Sequence, residues 1–171
     1  STRMELQNPV AYDPAMAARF EAACQKGGTS VHASGSSPGF ITEAMPIVMA
    51  SIQRRLDSLR IDEFADCSSR DSPEMLFEMM GFGAPAGPAS AGQLHHAELC
   101  FGSSLQLVAT ALGMPLDRFE VTGAQGLARQ DVHIAAGVVP KGTVAATRTT
   151  LTGFHKDKPL MTMCTTWFVS D

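Results

Sequence analysis

Two β-branched runs late in the chain, Gly142 to Phe154 and Leu160 to Val169, are separated by His155, Lys156, Asp157, Lys158 and Pro159. Such residues suit a pleated surface, and a short polar turn between two of these runs joins them as an antiparallel hairpin. A hairpin of this length must cover one face with apolar material to be stable. Two upstream stretches offer that cover. Leu94 to Leu112 sets Leu99, Phe101, Leu105, Leu107, Val108 and Leu112 at helical spacing and stops at Gly113. Phe40 to Leu59 does the same with Ile41, Met45, Ile47, Val48, Ile52 and Leu56, and Pro46 inside it predicts a kink or a late start. The expected class is α+β, an open mixed or antiparallel sheet with helices on one face.

The earlier chain has a different rhythm. Asp13-Pro14 caps and opens a helix that Gly27-Gly28 stops. Thr29 to Ala33 follows as a short buried strand, an order usual in α/β sheets. Ser34 to Gly39 (SGSSPG) is a bend of small residues that opens onto Phe40. Beyond it, Leu59 to Ala65 reads as a strand, bulged where Asp62-Glu63 fall out of phase, with Leu59, Ile61 and Phe64 as its apolar positions. Pro73 to Met80 is a short helix capped by Ser72, Gly81 to Gly92 is a flexible surface crossing, and residues 117–136 hold one or two strands.

Of the 171 residues, 44% are hydrophobic and 18% charged, which suits a folded globular chain able to bury its own core. The net charge is −4 and the densest basic spot is Arg54-Arg55, so nucleic acid is not an expected partner. Cys24, Cys67, Cys100 and Cys164 lack CxxC spacing and sit in apolar surroundings, as free buried thiols do. No apolar run reaches the roughly 18 residues of a membrane span, and no charged-then-apolar leader opens the chain. The expectation is a soluble cytoplasmic protein with no membrane partner. The chain starts at Ser1, which reads as the middle of something longer: a truncation, a fragment or an expression scar.

Several residues could carry chemistry. The bend Gly35 to Phe40 is the most informative. Small side chains there would let a flat ring approach the backbone, and the helix start offers free N–H groups; the plain alternative is an ordinary strand-to-helix turn. No GxGxxG occurs in the chain. His95 and His96 are adjacent, so their side chains point about 100° apart on a helix and suit one metal ion poorly; no metal is expected. His32 lies beside the bend, whereas His133 and His155 occupy sheet and turn positions. Cys67 has no histidine placed to activate it. The run Asp66 to Asp71 reads as a pocket rim or a helix cap. Met45, Met49, Met75, Met79 and Met80 suit either an adaptable apolar pocket or an ordinary core.

Taken together, Phe20 to Cys24 with Gly27-Gly28, then Ser30 to Gly35, then Ser37-Pro38-Gly39-Phe40, resemble the end of the Rossmann domain in dihydrodipicolinate reductase-like dehydrogenases. The branch of 2,4-diaminopentanoate dehydrogenases and native amine dehydrogenases is the nearest in pattern, its bend reading G-x-N-P-G-F. Ser103 to Glu120 and Ile134 to Trp167 are similar to the rest of that pattern. The resemblance implies that residues 1–38 end a nucleotide-binding domain and residues 39–171 form a C-terminal substrate and oligomerisation domain. It implies NAD(P) as cofactor, a small amine or ketone-derived imine as substrate, and a homodimer through the C-terminal sheet. Ser36, Ser37, Pro38 and Gly39 match the positions facing the nicotinamide; Phe40 and Met45, with Ser69 and Arg70 more weakly, match substrate-pocket positions. Two departures stand out. Ser37 replaces the branch's Asn, and the HHxHK signature of true dihydrodipicolinate reductases is missing, since Ala97-Glu98 follow His95-His96. The catalytic carboxylate of the branch would precede Ser1, so this chain alone is expected to bind NAD(P) poorly and not to turn over. The rival expectation is a stand-alone dimerisation or small-molecule-binding module without catalysis.

Overall fold

The structure, a computed structural model, describes residues 4–89 and 91–170. Its elements run α1 (Pro9–Tyr12), α2 (Pro14–Gly27), β1 (Gly35–Ser36), α3 (Met45–Ala50), β2 (Leu59–Asp66), α4 (Ala91–Leu112), β3 (Arg118–Leu127), β4 (Val132–Ile134), β5 (Gly137–Val139), β6 (Val144–His155) and β7 (Lys158–Phe168). Wide π-helical turns lie at Phe40–Ala44, leading into α3, and at Glu74–Met79. The class is α+β. Four strands make one sheet in the order β2-β7-β6-β3, and β4 and β5 make an antiparallel ribbon in which Val132 faces Val139.

The sheet is mixed. Asp117 and Ala128 donate to Phe154 and Thr143, so partner numbers fall as β3 advances and the β3–β6 pair is antiparallel. The hairpin expected from the two β-branched runs is β6–β7, turned by Lys156 in a left-handed conformation (φ 54°). Along β2 the partner numbers rise instead: Asp62 lies near Cys164, Glu63 bonds to Trp167 and Cys67 to Phe168. β2 is therefore parallel to β7, which needs a long crossover, and α4 lies within it.

Two compact units divide the chain. The first comprises Ser1–Leu59, His95–Glu120 and Leu151–Thr162. It buries Phe101, Leu105, Val108 and Ala109 of α4 with Leu151 and Met161. Two glycines allow the approach of Phe119 from β3. Its ring lies 3.8 Å from where a Cβ on Gly102 would stand, and a Cβ on Gly153 would meet Phe119 and Leu116 at 3.1 and 2.9 Å. The second unit comprises Arg60–Leu94, Val121–Thr150 and Met163–Asp171. Its core joins Cys67, Leu76, Phe82, Val132, Val139, Val144 and Val169, with Phe77 and Trp167 packed against them.

Asp13 caps α2 as expected, accepting from Ala15 N (2.9 Å) and Met16 N (3.1 Å), and Gly28 ends it at φ 60°. Other expectations fail for physical reasons. The helix beginning at Phe40 stops at Ala50 and not at Leu59. Val48, Met49 and Ile52 are exposed, so a longer helix would bury nothing, and the Ser51 hydroxyl donates back to Val48 O (2.6 Å). Thr29 to Ala33 forms no strand, and Val31 is exposed. In β2, burial alternates regularly and Phe64 points outward at 67% exposure. Glu63 takes the inward phase because its carboxylate accepts from Trp167 Nε1 (2.7 Å). Gly81 to Gly92 is not a loose crossing in its first half. Phe82 is buried, Gly83 N donates to Val144 O and Val144 N to Ala84 O, each at 2.9 Å.

Phe82→Ala should therefore destabilise the protein by about 3–5 kcal/mol in urea unfolding, whereas Phe64→Ala should stay within about 0.5 kcal/mol. Equal losses at the two positions would contradict the core assignment.

Candidate functional site

The bend at residues 34–39 is built from near-collisions of backbone that only glycine tolerates. Gly35 (φ 51°) and Gly39 (φ 140°) form an antiparallel bridge across it. A Cβ on Gly35 would overlap Pro38 O and the Gln7 amide, and one on Gly39 would overlap Ser34 O and the Gly35 backbone. Ser37-Pro38 is a cis peptide. The Gln7 amide fastens the near side, accepting from Gly35 N (2.8 Å) and donating to Ala33 O (3.3 Å).

The far side is tied to the helix start. Gly39 N donates to Thr42 Oγ1 at 2.8 Å, a side chain in the first turn reaching back to the residue that opens it. Ser104 Oγ on α4 donates to the same oxygen at 3.2 Å. One residue before, the carbonyl of Ser103 accepts from Asn8 Nδ2 at 2.9 Å. Thr42, Ser103 and Ser104 are all buried, so these hydroxyls form a small polar seam inside an otherwise apolar stripe.

Two polar groups in this region are left over. Ser37 Oγ is buried with no hydrogen-bond partner among the described residues, and so is Oε1 of Glu43. Glu43 is 7% exposed. Burial pushes its carboxyl above the ordinary value of 4.5, partly offset by the nearby Ser104 hydroxyl.

Of the residues singled out in the sequence, Ser36, Ser37, Pro38, Gly39, Phe40 and Met45 fall on one continuous stretch of the first unit. Pro38 and Gly39 are buried, Ser37 is half-buried, and Phe40 (56% exposed) and Met45 (47%) stand out from the turn that follows. Ser69 and Arg70 lie in the second unit, exposed, with Arg70 N bonded to Cys67 O and its guanidinium 3.7 Å from Met75 Sδ. Met49, Met75 and Met79 are also exposed, while Met80 packs against the second core, so these methionines are not one ordinary core stripe.

His96 stacks its ring nitrogens 3.5 and 3.9 Å from Cys100 Sγ, whose pKa burial pushes up to about 11, so this thiol is no thiolate nucleophile at neutral pH. Burial raises the Cys67 thiol also. His155 Nδ1 sits 3.0 Å from Asp117 Oδ2, which also accepts from Lys156 N (2.6 Å) and steadies the β6–β7 turn. Among the described residues no three His, Cys, Asp or Glu side chains cluster as metal ligands do.

Thr42, Glu43 and Ser104 are the site residues that pattern reading passed over. Two signals pointed to them. Thr42 stands three residues after the glycine that opens the turn, the spacing of a capping pair, and Ser103-Ser104 interrupt an apolar helix face where Leu or Val would fill the volume.

No family model matches the chain. Over 149 residues it is 27% identical to an amine dehydrogenase of Streptomyces virginiae, an alignment that covers 86% of this chain and 40% of that protein. Its structure is similar to that of an amine dehydrogenase from Mycobacterium smegmatis, with a TM-score of 0.76 at 15% identity, over 99% of this chain and 51% of the other. The two therefore share a fold, and the chain spans about half, or less, of the relatives it matches. No helix among the described residues is long and apolar enough to cross a membrane.

The Glu43 titration has a definite sign. Its folded pKa lies above the unfolded one, so between the two values the folded state holds the extra proton and stability falls as pH rises, levelling off above the folded pKa. Glu43→Gln should remove that slope, leaving a thermal midpoint above the wild type's at neutral pH and no higher at acid pH. An unchanged pH–stability profile would contradict the assignment.

Proposed function

We propose that these residues are the C-terminal part of an NAD(P)-dependent dehydrogenase that exchanges a hydride with a small amine or the imine derived from a ketone. The resemblance of the bend to that of dihydrodipicolinate reductase-like enzymes suggests the domain boundary: residues 1–38 end the nucleotide-binding domain, and residues 39–171 form the substrate and oligomerisation domain. The likeness to two amine dehydrogenases supports the reaction class. The absence of HHxHK after Leu94 favours the amine dehydrogenase branch over lysine biosynthesis.

The observation that carries the reading is the bend itself: two glycines with no room for a side chain, and between them a buried Ser37 hydroxyl with no hydrogen-bond partner among the described residues. A small-residue concavity with a waiting polar atom fits the nicotinamide end of a dinucleotide, whose carboxamide offers both donors and an acceptor. The pyrophosphate end has no counterpart here, since no glycine-rich strand-turn-helix fingerprint is present. When bound, the cofactor supplies the hydride acceptor or donor.

This chain's own residues would do four things. Ser36 and Ser37 would offer hydrogen-bonding groups to the carboxamide, Ser37 replacing the branch's amide with a hydroxyl. Pro38 and Gly39 would present a flat, side-chain-free surface to the ring. Phe40 and Met45, exposed beside it, would cover the apolar part of the substrate and exclude water. The open side of the sheet, where Phe64 points outward on the edge strand β2, suits contact with a second copy in a homodimer. The charge of −4 and the four thiols without a disulfide fit a cytoplasmic enzyme that binds neither nucleic acid nor membrane.

A protein that carries the genomic sequence preceding Ser1 should reduce NAD+ or NADP+ in the presence of a small primary amine, followed by nicotinamide absorbance, while the 171-residue chain alone should not. In the longer protein, Ser37→Ala should raise the cofactor KM roughly five-fold, the loss of about 1 kcal/mol for one hydrogen bond, with kcat little changed. A longer protein inert toward both nucleotides with all amines and ketones would favour a non-catalytic binding module instead.

A further inference from the structure

We propose that Glu43 is an amine-binding carboxyl, whose Oε1 receives the nitrogen of a small primary amine. The choice of an amine as ligand rests on the dehydrogenase reading above; the rest follows from the residue's surroundings.

A carboxyl that is 7% exposed is normally paired with a cation or fully hydrogen-bonded, because leaving it bare in a low-dielectric interior costs free energy. Here the one group that favours its charged form is the Ser104 hydroxyl, and Oε1 has no partner among the described residues. In its ionised form that oxygen accepts only, so its partner must offer a hydrogen, and a cationic N–H does so most strongly.

Glu43 follows Thr42, which accepts from Gly39 N at 2.8 Å and from Ser104 Oγ at 3.2 Å, so the backbone that carries the carboxyl is tied to the bend. On the same wide turn Phe40 and Ile41, and just after it Met45, are exposed and apolar. One unpaired buried acceptor, with exposed apolar side chains close by in sequence, fits a monovalent amine with an apolar substituent. It does not fit an amino acid or a polyamine, whose second charge would meet only hydrocarbon.

The binding step balances with one proton given to solvent. Glu43 holds its proton above the ordinary carboxyl range because it is buried. A primary amine arrives as its ammonium ion at neutral or mildly acid pH: the carboxyl O–H bond breaks, its proton passes to solvent water, and an ammonium–carboxylate pair forms with no other bond changed.

The test uses n-butylamine as probe against the 171-residue chain, its Glu43→Gln variant and the conservative Glu43→Asp. Infrared difference spectra at mildly acid pH should show a protonated-carboxyl band in the wild type that Glu43→Gln lacks, and saturating n-butylamine should abolish it. Titration calorimetry should show Glu43→Gln weakening n-butylamine at least about tenfold, the loss of a charge-assisted bond, with Glu43→Asp in between. Butan-1-ol should bind all three alike. Circular dichroism confirms that each variant is folded. Equal n-butylamine affinity for wild type and Glu43→Gln, or a carboxyl band that n-butylamine leaves in place, would overturn the proposal. Amine binding through Glu43 in a longer protein that oxidises no amine would sink the dehydrogenase reading and leave this one standing. Oxidation of amines with Glu43→Gln kinetics indistinguishable from wild type would do the reverse.

Discussion

A single 2.8 Å hydrogen bond, from the Gly39 N–H to Thr42 Oγ1, decides the geometry of the region that the chemistry depends on. It closes a bend whose two glycines let backbone pass over backbone, and it converts the first turn of the following helix into a clamp on that bend. The clamp is not local. Ser104 reaches Thr42 from α4, and α4 is in turn seated beside Phe119 of the sheet at Gly102. A loop tip of SGSSPG composition would otherwise be among the most mobile parts of a protein. Here it is tied to a long helix whose stretch from Cys100 to Leu105 is buried.

The same region holds two buried polar atoms that lack a hydrogen-bond partner among the described residues. They are Ser37 Oγ and Glu43 Oε1, six residues apart in the sequence and on either side of the clamp. A fold optimised for stability alone would replace them with alanine and glutamine or leucine. Buried unsatisfied groups beside a pinned backbone are candidates for ligand contact. Two more such atoms, Glu63 Oε2 and His155 Nδ1, lie elsewhere, each on a side chain held by a neighbour: Glu63 Oε1 accepts from Trp167 Nε1 at 2.7 Å, and His155 Nδ1 sits 3.0 Å from Asp117 Oδ2.

Much of the fold was legible in the sequence because it is written in local signals. The β6–β7 hairpin follows from two β-branched runs around a polar turn, α4 from its apolar spacing and Gly113, and α2 from Asp13-Pro14 at one end and Gly27-Gly28 at the other. What escaped depends on partners distant in sequence. Nothing near Glu63 says that it faces inward and Phe64 outward; that is decided by an indole 104 residues away. Nothing in Val48, Met49 and Ile52 says that their face of the helix is left uncovered, so the helix ends early. Thr29 to Ala33 has strand composition without a neighbouring strand to complete it. The site divided in the same way. The bend was visible as an unusual run of small residues, whereas Thr42, Glu43 and Ser104 became a group only once the fold set α4 beside the turn.

We propose that the Ser37–Gly39 bend lies against the reactive ring of a dinucleotide whose main cradle lies outside these 171 residues. Nuclear Overhauser spectra of the longer protein saturated with NADPH or NADH test it directly. Cross-peaks from the nicotinamide ring protons to the Ser37 and Gly39 amide protons and the Pro38 ring are the predicted result. A tightly bound cofactor whose ring protons contact other residues and give no cross-peak to this bend would contradict it.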